Sequence, residues 1–387
     1  MSLNMSAASA FQSTTRTPRP VEIARELGPL FARRASEGAD EDTFVAENFA
    51  TLRQAGLVEA GVPAELGGGG ADVDELSAML RTLAHHCGST ALAFAMHNHQ
   101  VAIPAWRWTH QKLAAMEPLL KRIASERIFL LTSGGSDWIG GSGKATKVDG
   151  GYRIDARKVF TSGAPTGDLL MTSAVLDTPE GAFVLHFGVP MSSPHVQVLD
   201  TWRALGMRGT GSHDVLIDGH VVPDAAVALK RKAGEWHPLF QIIATIAFPL
   251  IYSAYLGVAE SARELALQFA RRKEPTRHVV ELAGRMDTEL AGARLGLEHM
   301  LAAVRLNAPS AATVNQVMIG KALVTRHALA AVDCAMEAAG GVGFYRSAGL
   351  ERKFRDIQAA RYHPLQAGPQ AEYAGSMALG LPVDRVF

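Results

Sequence analysis

The chain has 387 residues, with 38 basic and 38 acidic side chains, and 48% of its residues are apolar. At about 150 residues per domain this implies two or three domains with a substantial core, which excludes a disordered chain or a small stapled scaffold. Zero formal charge argues against a nucleic-acid binder, and two cysteines with no CxxC pair indicate a reduced, cytoplasmic protein.

Residues 1–19 contain no apolar run of the signal-peptide kind and are read as a disordered N-terminus or an expression remnant before Met5. Residues 20–127 form a first, helical domain. Its apolar positions recur at three- and four-residue spacings, as in Val21-Ala24-Leu27-Leu30 and Leu76-Met79-Leu80-Leu83. Asp42-Thr43 is a candidate cap before Phe44, and the glycines at 56 and 67–70 mark the joins. Residues 128–233 form a middle domain of short strands separated by glycine and aspartate turns. The clearest is the hairpin around Asp149-Gly150-Gly151, and a β-barrel or sandwich is expected. Residues 234–387 return to long helices, expected at 248–272, 277–305 and 310–339 and forming a four-helix bundle. The stretch 237–259 has no Lys, Arg, Asp or Glu; its Pro249 and its amphipathic continuation favour a buried bundle helix over a membrane span.

Generic chemical motifs are mostly excluded. Gly140 to Ala145 fails the phosphate-loop pattern, because Trp138 and Ala145 stand where Gly and Ser or Thr are needed. No strand–GxGxxG–helix, GxSxG or HExxH occurs. His85-His86 and His97-Asn98-His99 diverge around a helix, so they make poor metal ligands, and no metal is expected.

Motifs in all three parts carry a resemblance. Gly61 to Gly68 reads as a "P-E-x-G-G" turn, and Gly134-Gly135-Ser136-Asp137 as "A-G-S-D". Lys158-Val159-Phe160-Thr161-Ser162 reads as "K-x-W-I-T", and Leu205 to Ser212 as "L-G-x-R-x-S-x-T". Glu337 to Phe344 follows "Q-x-x-G-G-x-G-Y", and Glu351 to Asp356 follows "E-x-x-x-R-D". In this order they resemble the acyl-CoA dehydrogenase superfamily of flavoproteins, from about residue 20 to 380. The resemblance implies an α+β fold with a helical, a β and a helical-bundle domain around FAD. Leu131 and Thr132 would face the flavin ring through their backbone, with Gly135 and Ser136 near the pyrophosphate. Phe160 would flank the ring and Ser162 would meet flavin N5; the alternative for Phe160 is a strand aromatic in the β-domain core. Arg272, Gly340 and Gly341 would contact cofactor phosphates, Arg272 on a neighbouring subunit, with a solvated helix-end arginine as the alternative. Glu337 puts an acid beside that expected diphosphate, where like charges repel.

Dehydrogenation of an acyl thioester needs a base for the α-proton. Relatives carry a glutamate shortly after "R-D", but here that column falls on Pro364 or, with a short insertion, on Ala367. A second position used by relatives, two residues before Pro249, is Ala247. His363 stands in the same loop and titrates near neutrality in ordinary surroundings. In flavin monooxygenases on this fold a histidine occupies a comparable place, with a second one resembling His97; a satisfied buried histidine is the alternative for His97. The leading expectation is an FAD-dependent α,β-dehydrogenation of an acyl-CoA. The alternative is a two-component monooxygenase that uses reduced flavin (FAD or FMN) and oxygen, with His363 and His97 catalytic. A third reading is a non-catalytic flavin or nucleic-acid binding relative. Expected partners are a small-molecule substrate, an electron-transfer protein or flavin reductase, and further copies of the chain in a dimer of dimers. Neither nucleic acid nor a membrane is expected.

Overall fold

A computed structural model describes residues 19–37, 43–135, 137–272 and 274–384. The expectations for the N-terminus up to residue 18 and for Ser136 lie outside the described residues. Five helices come first: α1 (Arg19–Glu37), α2 (Ala46–Gln54), α3 (Val73–His86), α4 (Gly88–Gln111) and α5 (Glu117–Glu126). Eight strands follow: β1 (Leu130–Thr132), β2 (Lys144–Val148), β3 (Gly151–Thr161), β4 (Leu169–Thr178), β5 (Gly181–Pro190), β6 (Val196–Val198), β7 (His213–Pro223) and β8 (Leu229–Lys232). The chain then returns to helices α6 (Leu239–Ala270), α7 (Arg277–Arg305), α8 (Ala311–Ala339), α9 (Leu350–Ile357) and α10 (Ala367–Leu379).

Local sequence explains several of these boundaries. Asp72 accepts from the Glu75 amide at 2.9 Å while the Glu75 carboxylate accepts from the Asp72 amide, a reciprocal cap that starts α3. The cap expected at Asp42-Thr43 is not what starts α2. Asp42 lies outside the described residues, and the helix begins at Ala46 after Val45, which has no side-chain cap. The Asp149-Gly150 turn joins β2 to β3 as expected, with Gly150 at a φ of 68°, a conformation that favours glycine.

The strands form one mixed sheet in the order β6-β7-β3-β2-β4-β5-β8, and β1 also pairs with β4. Both β1 and β2 run parallel to β4 along one edge, β1 against Leu169 to Met171 and β2 against Val175 and Leu176. The connection 133–143 therefore leaves the sheet between two strands that lie end to end. One apolar core fills the sheet, from Leu131 and Ile154 to Phe187 and Ile217, and a second runs through all the helices.

Helix α6 is the centre of that second core. It is long and apolar enough to cross a membrane, but 94% of its most apolar window is buried inside the protein. It packs on α3 and α4 on one side and on α7 and α8 on the other. Its start at Leu239 is earlier than the sequence pattern suggests, because the helix runs through Pro249. The contact with α3 is close: a side-chain carbon on Gly257 would lie 2.3 Å from the Arg81 carbonyl. The same seam holds a buried carboxylate. Glu260 accepts from Arg81 Nε at 2.7 Å and from Arg294 Nε at 2.7 Å, which ties α3, α6 and α7 together. Burial alone would push the Glu260 carboxyl up, but the two guanidiniums outweigh it and hold it below its usual value.

Replacing Arg81 and Arg294 together with methionine leaves that carboxylate buried with His85, at 3.9 Å, in place of two guanidiniums. Urea unfolding at pH 7 is expected to show a loss of about 3 kcal/mol, the low end for a buried pair because both arginines are partly solvated. A depressed carboxyl stabilises the fold above its unfolded pKa of 4.5 and ceases to do so as the pH falls. The difference between variant and wild type should therefore shrink in acid.

Candidate functional site

Three segments far apart in sequence meet at the end of β1. The amide of Gly134 donates to the Val159 carbonyl at 3.0 Å, which sets the Gly134-Gly135 turn beside the end of β3. A side-chain carbon on Gly135 would touch Pro364 at 3.9 Å, so the loop carrying His363 closes the third side. Leu131 is buried in the sheet core, and glycines 163 and 167 pack against its side chain. Thr132 ends β1 opposite Met171, and Ser133 shares a hydrogen bond with Thr172 at 2.9 Å. The 133–143 connection is pinned from beneath. The buried Lys158 ammonium donates to the Ser142 carbonyl and hydroxyl, both at 2.8 Å, and Arg231 donates to the carbonyls of Trp138 and Ile139.

Phe160 and Ser162 sit where β3 leaves its regular pairing with β7. Phe160 is 61% exposed, has a φ of 54° and stands edge-on to Trp202 at 6.0 Å. A non-glycine residue held in the left-handed region, with its ring in solvent, is the kind of strain that gathers at binding sites. Phe160 is therefore not part of the sheet core. Next to it, the Thr161 hydroxyl is buried with no partner.

Ser162 starts a chain of hydroxyls whose protons can be counted. Thr210 Oγ1 donates to the Met207 carbonyl at 2.8 Å, a contact that needs the threonine proton because a carbonyl has none. The 2.7 Å contact between Thr210 and Ser212 must then use the Ser212 proton. The 2.8 Å contact between Ser212 and Ser162 must in turn use the Ser162 proton. All three protons are taken within the chain, and Ser162 Oγ has only lone pairs left to offer. An exposed aromatic ring, glycine backbone and an acceptor hydroxyl together can hold a flat heteroaromatic ring carrying an N–H group.

On the far side of the loop stands His363, half-buried, with Nε2 2.6 Å from the Tyr255 hydroxyl. Burial first, then the charge of Lys321, then His99 push its pKa down to about 3. Lys321 is itself buried in α8, its ammonium donating to the Leu365 carbonyl and lying 5.3 Å from the ring centre of Tyr252. Burial lowers the Lys321 pKa to about 8. Tyr252 donates to the Ala360 carbonyl at 2.6 Å, so α6 and α8 hold both ends of the loop. Tyr255 and Lys321 escape a sequence reading, because a tyrosine or lone lysine in an apolar helix looks like packing. The one available signal was a cation within the otherwise apolar run 317–324.

His97 occupies a different position. Its Nε2 donates to the Val58 carbonyl at 2.8 Å, and its Nδ1 accepts from the Leu130 amide at 3.0 Å. With both nitrogens taken and its ring stacked on Phe94, it joins α4 to β1 and has none left for a substrate. His99 is bonded to the Ala95 carbonyl and to Gln100. Arg272 lies at the end of α6 against the Phe269 ring, and Gly340 and Gly341 follow α8 with open space around them. The 131–135, 160–162 and 363 cluster is not joined to them by any hydrogen bond among the described residues. Glu337 pairs with His278 at 3.0 Å. A separate cavity of about 500 Å³, lined in part by Arg34, Arg208, Arg352 and Arg355, borders none of residues 131–135, 160–162 and 363. Among the described residues no group of three His, Cys, Asp or Glu could hold a metal.

Two family models match the chain: the acyl-CoA dehydrogenase N-terminal domain over residues 23–125 and the C-terminal domain over residues 250–366. The chain belongs to the acyl-CoA dehydrogenase superfamily of flavoproteins. Superfamily members that it resembles include the L-evernosamine nitrososynthase of a Micromonospora species, 28% identical over 96% of this chain and 93% of that protein. A dibenzothiophene monooxygenase of Mycolicibacterium goodii is 30% identical over 65% of this chain and 62% of its own length. Among solved structures, KijD3 in complex with FMN and dTDP-3-amino-2,3,6-trideoxy-4-keto-3-methyl-D-glucose superposes with a TM-score of 0.87. It is 26% identical and covers 95% of each chain.

Replacing His97 with leucine leaves the Val58 carbonyl and the Leu130 amide unbonded in the interior, with an expected loss of about 2–4 kcal/mol in urea unfolding. Burial, the first of several causes, lowers the His97 pKa from 6.5 to about 4, so the unfolded chain takes up the proton first. Wild-type stability should therefore be level above pH 6.5 and fall as the pH drops towards 4, more steeply than in the leucine variant.

Proposed function

We propose that the chain is the oxygenase component of a two-component flavin monooxygenase, taking reduced FMN or FAD from a separate reductase. The observation that carries this reading is the proton count at Ser162. Oxidised flavin has a bare N5 that asks for a donor, whereas reduced flavin bears an N5–H that asks for an acceptor. A hydroxyl with only lone pairs to offer favours the reduced form. The acids that would serve a dehydrogenase support the same choice by their absence, since Pro364, Ala367 and Ala247 stand in the places that relatives use. Relatives named as nitrososynthases and monooxygenases add to it.

The residues present suit a flavin. Phe160 would flank the ring, the backbone of Leu131, Thr132 and Gly135 would line its edge, and Ser162 would accept from N5–H. Ser136 would lie near the phosphates. Gly340 and Gly341 would reach cofactor phosphates, and Arg272 those of a neighbouring subunit of a dimer of dimers. When bound, reduced flavin supplies two electrons to oxygen; one oxygen atom enters the substrate and the other leaves as water. The chain's own part is to hold the small organic substrate at the 361–366 loop and present the His363 imidazole to it. His97 acts as a positioning residue between α4 and β1. The three-part division at residues 20–127, 128–233 and 234–387 and a cytoplasmic location complete the reading.

Anaerobic titration should show reduced FMN or FAD binding at least about tenfold tighter than the oxidised form, equivalent to about 1.4 kcal/mol. Ser212→Ala frees the Ser162 proton and should narrow that ratio by tightening the oxidised form. Equal affinities in the wild type, or an oxidised flavin bleached by an acyl-CoA, would remove the monooxygenase reading. His363→Asn should keep flavin affinity within about twofold and lower the oxygenated product by about 10²-fold. The reduced equivalents should then appear as hydrogen peroxide in a coupled assay.

A further inference from the structure

Tyr255 lies on α6 and is fully buried, and among the described residues its hydroxyl has a single partner, His363 Nε2 at 2.6 Å. One proton occupies that contact, and it comes either from the phenol or from the imidazole. If the imidazole donated, the phenol proton would be left in the interior with no acceptor, and a buried donor without a partner is costly. A phenol is also the stronger donor of the two. Tyr255 O–H therefore donates and His363 Nε2 accepts. A neutral imidazole whose Nε2 is an acceptor carries its proton on Nδ1, and among the described residues nothing bonds that atom.

We propose that Tyr255 is a positioning residue that locks His363 in the Nδ1–H tautomer, so that His363 meets its substrate as a hydrogen-bond donor and not as a base. The inference rests on the reading of the 361–366 loop as the active-site loop. The surroundings of the ring agree with it from every side. Lys321 on α8 brings a cation, and His99 on α4 is held by the Ala95 carbonyl. Tyr252 on α6 meets the imidazole edge-on at 6.1 Å, and no carboxylate pairs with His363 among the described residues. Proton uptake by His363 is opposed by burial and by Lys321. An N–H donor backed by a buried cation stabilises negative charge growing on a substrate oxygen, which a neutral base could not do.

The wild-type protein labelled with ¹⁵N-histidine tests this directly, with His363→Gln used to assign the His363 signals. At pH 7 the expected pattern is a protonated Nδ1 and a bare Nε2; the reverse pattern overturns the proposal. In Tyr255→Phe the ring packing stays and only the hydroxyl is lost. Its His363 should show a mixture of tautomers, and the midpoint of its C2–H exchange with deuterium, read by mass spectrometry, should move up in pH. An unchanged tautomer and midpoint in a Tyr255→Phe protein of wild-type melting temperature would also overturn it. Neither readout involves flavin. The Nδ1–H pattern in a chain that binds no flavin would sustain the role of Tyr255 and remove the proposed function, and a flavin-binding chain with the reverse pattern would do the opposite.

Discussion

The burial of one helix, free of charge over its first two thirds, organises this molecule. Over most of its length α6 offers no charge to solvent, so it is stable in water only when other elements cover it on every side. Each polar group on it must then find a partner within the protein. Thr245 meets Thr313, Ser253 donates to the Pro249 carbonyl, Tyr252 meets the Ala360 carbonyl and Tyr255 meets His363. Two of these four partners belong to the loop after α9. The need to satisfy buried hydroxyls thus anchors the loop that carries the candidate chemistry, and the core and the site cannot be varied separately.

Much of this architecture is legible in the amino-acid sequence, because periodicity reports which face of an element is covered. The helix, strand, helix order and the limits of α7 and α8 follow from it. The start of α6 does not, since Pro249 ordinarily ends or kinks a helix and here is carried through by packing on both flanks. The three-residue β1 is too short to show alternation, and its parallel pairing with β4 is a tertiary matter. His363 could be found by counting from Arg355-Asp356. Tyr255 and Lys321 could not, because their significance comes from a loop 108 residues away in one case and 44 in the other. His97 stands out by composition, yet its use depends on Val58 and Leu130, which sequence spacing does not connect to it.

A second regularity concerns protons. Both faces of the site are built from neutral groups whose donors and acceptors are fixed by what lies behind them: a carbonyl at Met207 behind the serines, a buried phenol behind the imidazole. Lys158 and Lys321 bring positive charge into the surrounding walls, and burial lowers each to about 8. The site is thereby set to receive electron density and poorly suited to remove protons. On the proposed reading, the missing acid at Pro364 or Ala367 goes with this polarity of the surrounding walls.

The end-to-end placement of β1 and β2 on one edge of β4 leaves a gap in the pairing opposite Thr172 to Ala174. The connection that emerges there is tethered at both ends by strands whose registers are set independently. Its length can change, away from the carbonyls that Arg231 and Lys158 hold, without sliding either strand. Descendants of one scaffold could in this way acquire cavities of different depth over an unaltered sheet, by changes in length alone.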